Sequence, residues 1–435
     1  MPYANSDEEC LDPGQLAGVQ RQKLAGMLRE VLATNPFYRR KLGPIDPDRV
    51  AIGDLPFTTR TELCEDQAAV PPYGTNLTYP QSRYVRLHQT SGSTQALPDG
   101  PIAPLRWLDT PQSWAWFKKC WRILYAAAGV TPEERLFFPF SFGPFIGFWA
   151  AFETAVDMGC FCLPAGGMTT NARLAHLLDN AATVVCCTPT YALRMIDAAE
   201  ELGIDLRPTA VKTLIVAGEP GGSIPQTRCR LESAWDTRVL DHSGMTEIGS
   251  CGFECLERPG GLHIIETEFI PEVVDPATCE PVAQGEPGEL VLTNLGRWGS
   301  PLIRYRTGDQ VRMIRDRCAC GRWFAWLEGG ILGRLDDMVI VRGNNVFPAT
   351  VEGILRGFAE VAEFRVEVDR RTSMNDLRIS IEPSTTADAT RLAERITAEF
   401  RDRLNFKPLV RIVPGGSLPR FDMKAHRWVF LDGKQ

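Results

Sequence analysis

A short polar segment after an apolar run carries residue types suited to binding a phosphate and a metal ion. The segment spans residues 241–247 (DHSGMTE) and directly follows Val239 and Leu240. Open α/β sheets bind ligands at the carboxyl ends of their strands, where this segment would lie. Thr246 could hydrogen-bond a phosphate oxygen there, and Glu247 could hold a divalent cation against it. A solvated loop is the plain alternative.

Three further segments offer groups of related chemistry. Residues 90–94 (TSGST) place small hydroxyl side chains around one glycine, which suits a polyphosphate grip, although they lack the lysine of a Walker loop and could be an ordinary loop. Residues 218–220 (GEP) follow another apolar run, so they could enclose one nucleotide together with residues 241–247. Asp309 follows a Thr-Gly turn and is well placed to accept hydrogen bonds from two ribose hydroxyls.

Two other groups of residues suggest an apolar pocket and a metal site. Residues 141–149 interleave glycines with Phe142, Phe145 and Phe148, which could line an apolar pocket or simply pack in a core. Three thiols and one imidazole would satisfy a tetrahedral zinc ion, and the candidates are Cys255, His263, Cys318 and Cys320. Scattered free thiols are the alternative, and Cys251 competes with Cys255. Four ligands would make the site structural, since no position would stay open.

The surrounding pattern predicts a mixed α/β fold. A helix is expected at residues 12–34 and a short strand at 84–87. The predicted strands of a parallel series lie at 135–140, 160–163, 183–187, 213–217 and 238–240, and its helices at 111–128, 171–178, 191–202 and 226–235. Residues 262–305 alternate in short segments, including 269–274 and 289–293, as in an antiparallel barrel-like part.

A smaller α+β unit is predicted after the charged segment at residues 333–337. Its helices are expected at 349–355 and 392–404, and its strands at 364–368, 377–381 and 409–413. The sequence therefore predicts two domains, a large one over residues 1–335 and a small one over residues 336–435, with the boundary at Asp336.

Composition excludes several classes of protein. The 435 residues carry a net charge of −7, which argues against a general nucleic-acid-binding surface. The polar N-terminus does not resemble a signal peptide, and the apolar runs are too interrupted for membrane spans. Thirteen cysteines without an export signal favour reduced thiols in the cytoplasm over a disulfide framework.

Taken together, the motifs resemble the phenylacetate–CoA ligase family of the adenylate-forming superfamily. The resemblance covers nearly the whole chain, in six ordered segments: residues 37–42 with 55–59, 89–94, 244–247, 305–309, 333–336 and 418–424. It implies that a carboxylate attacks the α-phosphorus of Mg-ATP to give an acyl-adenylate, after which the small domain rotates and CoA takes the acyl group. Some relatives also carry a Cys/His zinc site.

The resemblance assigns roles to individual positions. Lys424, Thr246 and Glu247 are expected to be catalytic, with Glu247 as the Mg²⁺ ligand, and Asp336 is the expected hinge. Lys424 would bridge the carboxylate and the α-phosphate and stabilise their charge. Nucleotide contacts are expected from Ser91, Gly92, Ser93, Thr94, Gly218, Glu219, Pro220, Asp241, His242, Ser243, Gly244, Met245, Thr246, Asp309 and Arg334.

Two departures from the family pattern concern ATP. Residues 95–104 replace the glycine that relatives carry after the phosphate loop, and Ser243 stands where relatives carry a tyrosine. Losing that aromatic platform would cost about 1–3 kcal/mol of nucleotide affinity. The expected function is ATP-dependent activation of an aromatic or similarly apolar acid and its transfer to CoA, by a monomer or homodimer. An enzyme that acylates a carrier protein or an amine, and a non-catalytic binding protein, are the alternatives.

Overall fold

The computed structural model describes residues 3–90, 96–97, 100–101, 104–341, 344–369, 375–384, 388–421 and 425–431. The predicted phosphate loop at Ser91, Gly92, Ser93 and Thr94 and the predicted catalytic Lys424 lie outside these residues. Among the described residues, no helix combines the length and the apolar character needed to cross a membrane.

The N-terminal segment is helical and packs on the large sheet. Asp12 and Gln15 form a capping box that starts the second helix where the sequence predicts it. Asn35 ends that helix and also caps the next one, so Pro36 begins a new helix, which the sequence did not predict. The elements are α1 (Ser6–Glu9), α2 (Pro13–Thr34), α3 (Pro36–Leu42), α4 (Arg60–Ala69), β1 (Arg86–Gln89), β2 (Ala96–Leu97), β3 (Gly100–Pro101) and β4 (Arg106–Asp109).

The central part is the predicted βαβ series. Its strands are parallel in the order β6-β5-β7-β8-β9, and β7 is buried along its whole length, which explains its continuous apolar sequence. The elements are α5 (Pro111–Ala127), β5 (Arg135–Phe138), α6 (Trp149–Asp157), β6 (Phe161–Pro164), α7 (Thr170–Asp179), β7 (Val184–Cys187), α8 (Pro189–Glu201), β8 (Thr213–Ala217), α9 (Pro225–Trp235) and β9 (Arg238–Met245).

Antiparallel strands continue the same sheet beyond β9. The order runs β9-β10-β11-β15-β14-β13-β12, with β16 paired to β14, and gives one mixed sheet of 12 strands. The strands are β10 (Gly249–Cys255), β11 (Arg258–Ile264), β12 (Phe269–Val274), β13 (Pro287–Asn294), β14 (Tyr305–Ile314), β15 (Trp326–Glu328) and β16 (Gly333–Arg334). The mixed α/β fold class is confirmed, and the continuity of its two parts is a feature that the sequence did not reveal.

The strand at residue 238 is longer than predicted. The sequence placed all of residues 241–247 in a turn, but β9 continues to Met245, and the turn contains only residues 246–248. Met245 and Gly244 pair with Gly249 and Ser250 of β10, so hairpin hydrogen bonds extend the strand. Thr246 and Glu247 therefore lie at the tip of a hairpin.

The C-terminal unit has its own sheet and core. The sheet order is β21-β20-β19-β22, and a separate apolar cluster runs in sequence from Val339 to Phe406. The elements are β17 (Val339–Val341), β18 (Asn344–Val346), α10 (Pro348–Arg356), β19 (Val361–Asp369), β20 (Asp376–Pro383), α11 (Ala389–Leu404), β21 (Leu409–Ile412) and β22 (Trp428–Leu431). The small α+β unit is confirmed, whereas the boundary at residue 336 stays a prediction.

Candidate active site

A buried ion pair fixes the turn that carries Thr246 and Glu247. Arg297 is fully buried and donates from Nε and Nη2 to the two carboxylate oxygens of Asp109, at 2.7 and 2.6 Å. Its Nη1 donates to the backbone carbonyls of Thr246 (2.6 Å) and Glu247 (2.9 Å). Burial raises the pKa of Asp109, but the charges and hydrogen bonds of Arg297 and His88 together outweigh burial, so that pKa lies below its usual value. The ion pair of Arg297 and Asp109 thus holds the backbone of the turn at Thr246 and Glu247 in place.

The Glu247 carboxylate lies between a phenol and a guanidinium. Tyr305 donates to Glu247 Oε1 at 3.0 Å, and Arg60 Nη1 lies 3.5 Å from the same oxygen. Burial and then the charge of Glu247 raise the pKa of Tyr305 well above 10, so the phenol stays a donor. Arg60 Nη2 also donates to Thr90 Oγ1 at 3.3 Å, the last described residue before position 91. Arg60 therefore joins Glu247 to the start of the predicted phosphate loop.

Asp309 and Arg334, the two predicted ribose ligands, meet on neighbouring strands. They face each other in the β14–β16 register, and Arg334 Nη1 lies 3.3 Å from Asp309 Oδ1. Arg334 Nη2 also lies 3.7 Å from Asp336 Oδ2, so one guanidinium contacts both the predicted ribose ligand and the predicted hinge. Burial raises the pKa of Asp309 to about 6, although Arg334 opposes it. The charge of Glu247 also raises the pKa of Asp309, so the two carboxylates lie close enough to interact.

The side chains of Asp241 and His242 point to opposite faces of β9. Asp241 accepts a hydrogen bond from Ser223 Oγ, and burial raises its pKa to about 7. His242 packs edge-on to Trp121, and its Nδ1 lies 2.6 Å from the carbonyl of Gly252. Burial lowers the pKa of His242 to about 4, so the ring is neutral and Nδ1–H is the donor. Its side chain is part of the core, so the predicted nucleotide contact of His242 would have to come from its backbone.

Glu219, in the loop after β8, has both carboxylate oxygens engaged. Oε1 accepts from the backbone N–H of Thr190 at 2.8 Å, and Oε2 accepts from the backbone N–H of Ala425 at 3.1 Å. Gly218 and Pro220 on either side are exposed. The loop predicted to contact the nucleotide therefore also contacts the residue that follows Lys424 in the sequence.

Two of the three predicted pocket residues, Phe142 and Phe148, belong to an aromatic cluster. Phe148 is buried against Phe140 and Trp121, with ring centroids 5.6 and 6.0 Å away. Phe142 is half-buried and lies 4.8 Å from the Trp149 ring and 5.2 Å from the Phe152 ring, and Phe145 is also half-buried. Trp121 contacts both Phe148 and His242, so the cluster adjoins the strand that leads to Thr246.

The four predicted metal ligands converge and are buried. One ligand atom from each of Cys255, His263, Cys318 and Cys320 lies within 4.8 Å of the others. The Cys255 and Cys318 sulfurs are 3.8 Å apart, and Cys320 Sγ is 3.7 Å from His263 Nε2. Zinc–thiolate bonds of about 2.3 Å in a tetrahedron would separate the sulfurs by about 3.8 Å, so the geometry fits.

Contacts within and around this cluster orient its ligand atoms and change the pKa values of its thiols. His263 Nδ1 lies 3.2 Å from the Phe324 carbonyl, which directs Nε2 toward the thiols. Hydrogen bonds from Cys255 and then Cys318 lower the pKa of Cys320, whereas hydrogen bonds to Cys318 and then Cys320 raise the pKa of Cys255, so the thiols share their protons unequally. Cys251 instead contacts Ser243, with its sulfur 3.8 Å from the hydroxyl, and is not one of the four. The structure thereby decides between Cys251 and Cys255.

Sequence reasoning missed the residues that support the site. Arg60, Asp109 and Arg297 lie in none of the motifs, and Tyr305 lies in the 305–309 segment without a predicted role. Each acts through partners far away in the chain. Asp109 and Arg297 are 188 positions apart, for example. The only sequence signal was that Tyr305 and Arg60 lie in or next to segments that resemble the family.

Comparison with known proteins agrees with this geometry. Residues 343–431 match the family described as the AMP-binding enzyme C-terminal domain. A phenylacetate–coenzyme A ligase of Thermus thermophilus is 30% identical over 439 residues, which cover 95% of each chain. A 2-hydroxyisobutyryl-CoA ligase in the postadenylation state with 2-HIB-AMP superposes with a TM-score of 0.92 at 26% identity, over 99% of this chain and 92% of the other. In its thioesterification state, with CoA also bound, the TM-score is 0.74 at 25% identity, over the same shares.

The fold and the similar proteins define an AMP-forming acid–CoA ligase. Within that class, the chain belongs to the phenylacetate–CoA ligase family. Its reaction activates an acid to an acyl-adenylate and then forms a thioester with CoA.

Proposed function

We propose that the acid is aromatic or similarly apolar and that Mg²⁺ accompanies the ATP. The observation that supports the choice of acid is the contact of the aromatic cluster with β9, the strand that leads to Thr246, through Trp121, which contacts both Phe148 and His242. An acid held among these rings would direct its carboxylate toward the turn at Thr246. Aromatic rings favour flat, apolar groups because they bury a large area with defined stacking geometry.

Each charged group would contact a different part of the nucleotide. Glu247 would ligate Mg²⁺, which commonly takes one or two carboxylates together with substrate phosphates. Thr246 would contact the α-phosphate, Asp309 would accept from the ribose hydroxyls, and Arg334 would hold Asp309 in place. Arg60, between Glu247 and Thr90, supplies positive charge near the outer phosphates. Lys424 would stabilise charge during adenylation. The next residue in the sequence, Ala425, contacts Glu219 of the loop after β8.

We also propose a structural zinc ion at Cys255, His263, Cys318 and Cys320. All four ligands are buried; Cys255 lies in β10, His263 in β11, and both Cys318 and Cys320 in the loop before β15, so a metal would cross-link the two strands to that loop. The thirteen cysteines are free, which fits a reducing compartment such as the cytoplasm. The separate core from Val339 onward supports the proposed boundary at residue 336 and rotation about Asp336.

A panel of acids tests the proposal. Purified protein is incubated with Mg-ATP and CoA plus phenylacetate, benzoate, 2-hydroxyisobutyrate, a medium-chain fatty acid or proline, and both pyrophosphate and the CoA thioester are measured. We expect the aromatic acids to give the fastest release, and Glu247→Gln to raise the Mg²⁺ concentration required. The control Glu134→Gln, whose partner Lys212 is exposed, should match wild type. Preference for 2-hydroxyisobutyrate would overturn the choice of acid, and no release with any acid would overturn the activity.

A further inference from the structure

The Glu219 carboxylate connects two parts of the chain that the proposed reaction moves relative to each other. One oxygen accepts from the N–H of Thr190, the second residue of α8, and the other accepts from the N–H of Ala425. The first amides of a helix have no partner within the helix, and its positive end favours an anion. Glu219 satisfies one of these amides and still offers its second oxygen to the C-terminal unit.

A second contact with the C-terminal unit also involves Thr190 of α8. Arg427 Nη1 lies 3.5 Å from Thr190 Oγ1. Arg427 is fixed within the C-terminal unit, because its Nε and Nη2 donate to Glu363 at 2.7 and 3.1 Å and its Nη1 lies 3.5 Å from Glu352. The backbone N–H and the hydroxyl of Thr190 therefore both take part in docking the C-terminal unit.

We propose that Glu219 is a positioning residue for adenylation, which docks the segment after Lys424 onto the N-terminus of α8 and must release it before thioester formation. This inference rests on the proposed function. The present arrangement superposes better on the postadenylation state of the 2-hydroxyisobutyryl-CoA ligase than on its thioesterification state. A rotation that separates Ala425 from the loop after β8 breaks the bond to Glu219, so this carboxylate stabilises one of the two arrangements only.

The role differs from the nucleotide contact expected for Glu219 from the sequence. A residue that binds the nucleotide would matter in both half-reactions, because the AMP part is present in the acyl-adenylate as well. A residue that docks the C-terminal unit for the first step would matter in adenylation alone. Measuring the two half-reactions separately can distinguish these roles.

The test uses the full-length protein and the fastest acid of the panel above. Adenylation is measured as acid-dependent exchange of pyrophosphate into ATP, and thioester formation as CoA consumption from the chemically prepared acyl-adenylate. Glu219→Gln keeps the shape but turns one oxygen into a donor, so only one of the two amides retains an acceptor. The matched control is Thr188→Ala, because Thr188 Oγ1 caps the same helix by accepting from the N–H of Tyr191 and is not a partner of Ala425.

We expect Glu219→Gln to slow exchange by roughly tenfold, as for a lost hydrogen bond to a charged group, and to leave thioester formation within about twofold of wild type. Thr190→Val, which removes the acceptor for Arg427, should act in the same direction more weakly. Equal losses in both half-reactions, no loss in either, or the same pattern in Thr188→Ala would overturn the inference. A wild-type protein without exchange for any acid would instead overturn the proposed function, and this inference with it.

Discussion

Replacing Arg297 by lysine tests whether the buried ion pair positions the turn at Thr246. Arg297 makes four hydrogen bonds of 2.6–2.9 Å, two to Asp109 and two to the carbonyls of Thr246 and Glu247. An ammonium group keeps the charge but cannot reproduce the planar fork, so we expect at least two of the four bonds to be lost. At about 1–2 kcal/mol for each bond near a charge, Arg297→Lys should cost about 2–4 kcal/mol of stability.

The activity should fall further than stability alone explains. A displacement of about 1 Å at a reacting centre can cost about 100-fold in rate, so we expect a loss of that order in kcat/KM for ATP. The measurements are pyrophosphate exchange and urea unfolding followed by tryptophan fluorescence, at a temperature where both proteins are folded.

Arg304→Lys is a matched control for this effect. Arg304 also binds one carboxylate through two nitrogens, in Glu272, and donates to two backbone carbonyls, those of Gly53 and Leu55. We expect a comparable loss of stability with a much smaller loss of exchange. An Arg297→Lys protein that unfolds earlier but adenylates at the wild-type rate would refute the reasoning, and so would equal loss of activity in Arg304→Lys.

Two further predictions concern Asp309 and the metal site. The pKa of Asp309 is raised from 3.8 to about 6, so its carboxylate should accept hydrogen bonds from ribose increasingly as the pH rises through about 6. ATP affinity measured by calorimetry should therefore rise in that pH range. Asp309→Asn should remove this rise in affinity. The folded state binds the proton of Asp309 more tightly than the unfolded state does, so the contribution of Asp309 to stability should decrease as the pH rises from 3.8 to about 6. Stability that rises as Asp309 ionises would contradict the raised pKa. Elemental analysis should find one zinc ion per chain. Cys318→Ser should lose the zinc and unfold at a lower temperature, whereas Cys229→Ser, at an exposed cysteine, should keep it. Wild-type protein whose stability does not change when zinc is removed would exclude the site.

The sequence predicted the elements best where burial is uniform. The strand at Thr213–Ala217 was placed to the residue, since a continuous apolar run between polar segments fits a central parallel strand. The prediction of the strand end was wrong at Asp241, because its polar residues suggested a turn. In the structure, hairpin pairing with β10 extends the strand. Propensity does not report such pairing, because the partner strand supplies it.

The candidate site was predictable in its motifs but not in its supports. Motif positions such as Glu247 and Asp309 could be located because their spacing within short segments is informative. Arg297 and Arg60 could not, because their function arises from contacts that only the fold creates. The choice between Cys251 and Cys255 likewise depended on irregular pairing in β10, where register shifts change the face that each residue presents.

The proposed chemistry requires Lys424 for the adenylation of the acid. The most direct measurement compares acid-dependent pyrophosphate exchange in wild type and Lys424→Ala with the same acid, with thioester formation from the prepared acyl-adenylate measured alongside. We predict exchange at least 100-fold slower in the variant, as for removal of a charge-stabilising group, with thioester formation largely retained. Exchange at the wild-type rate in Lys424→Ala would contradict the mechanism.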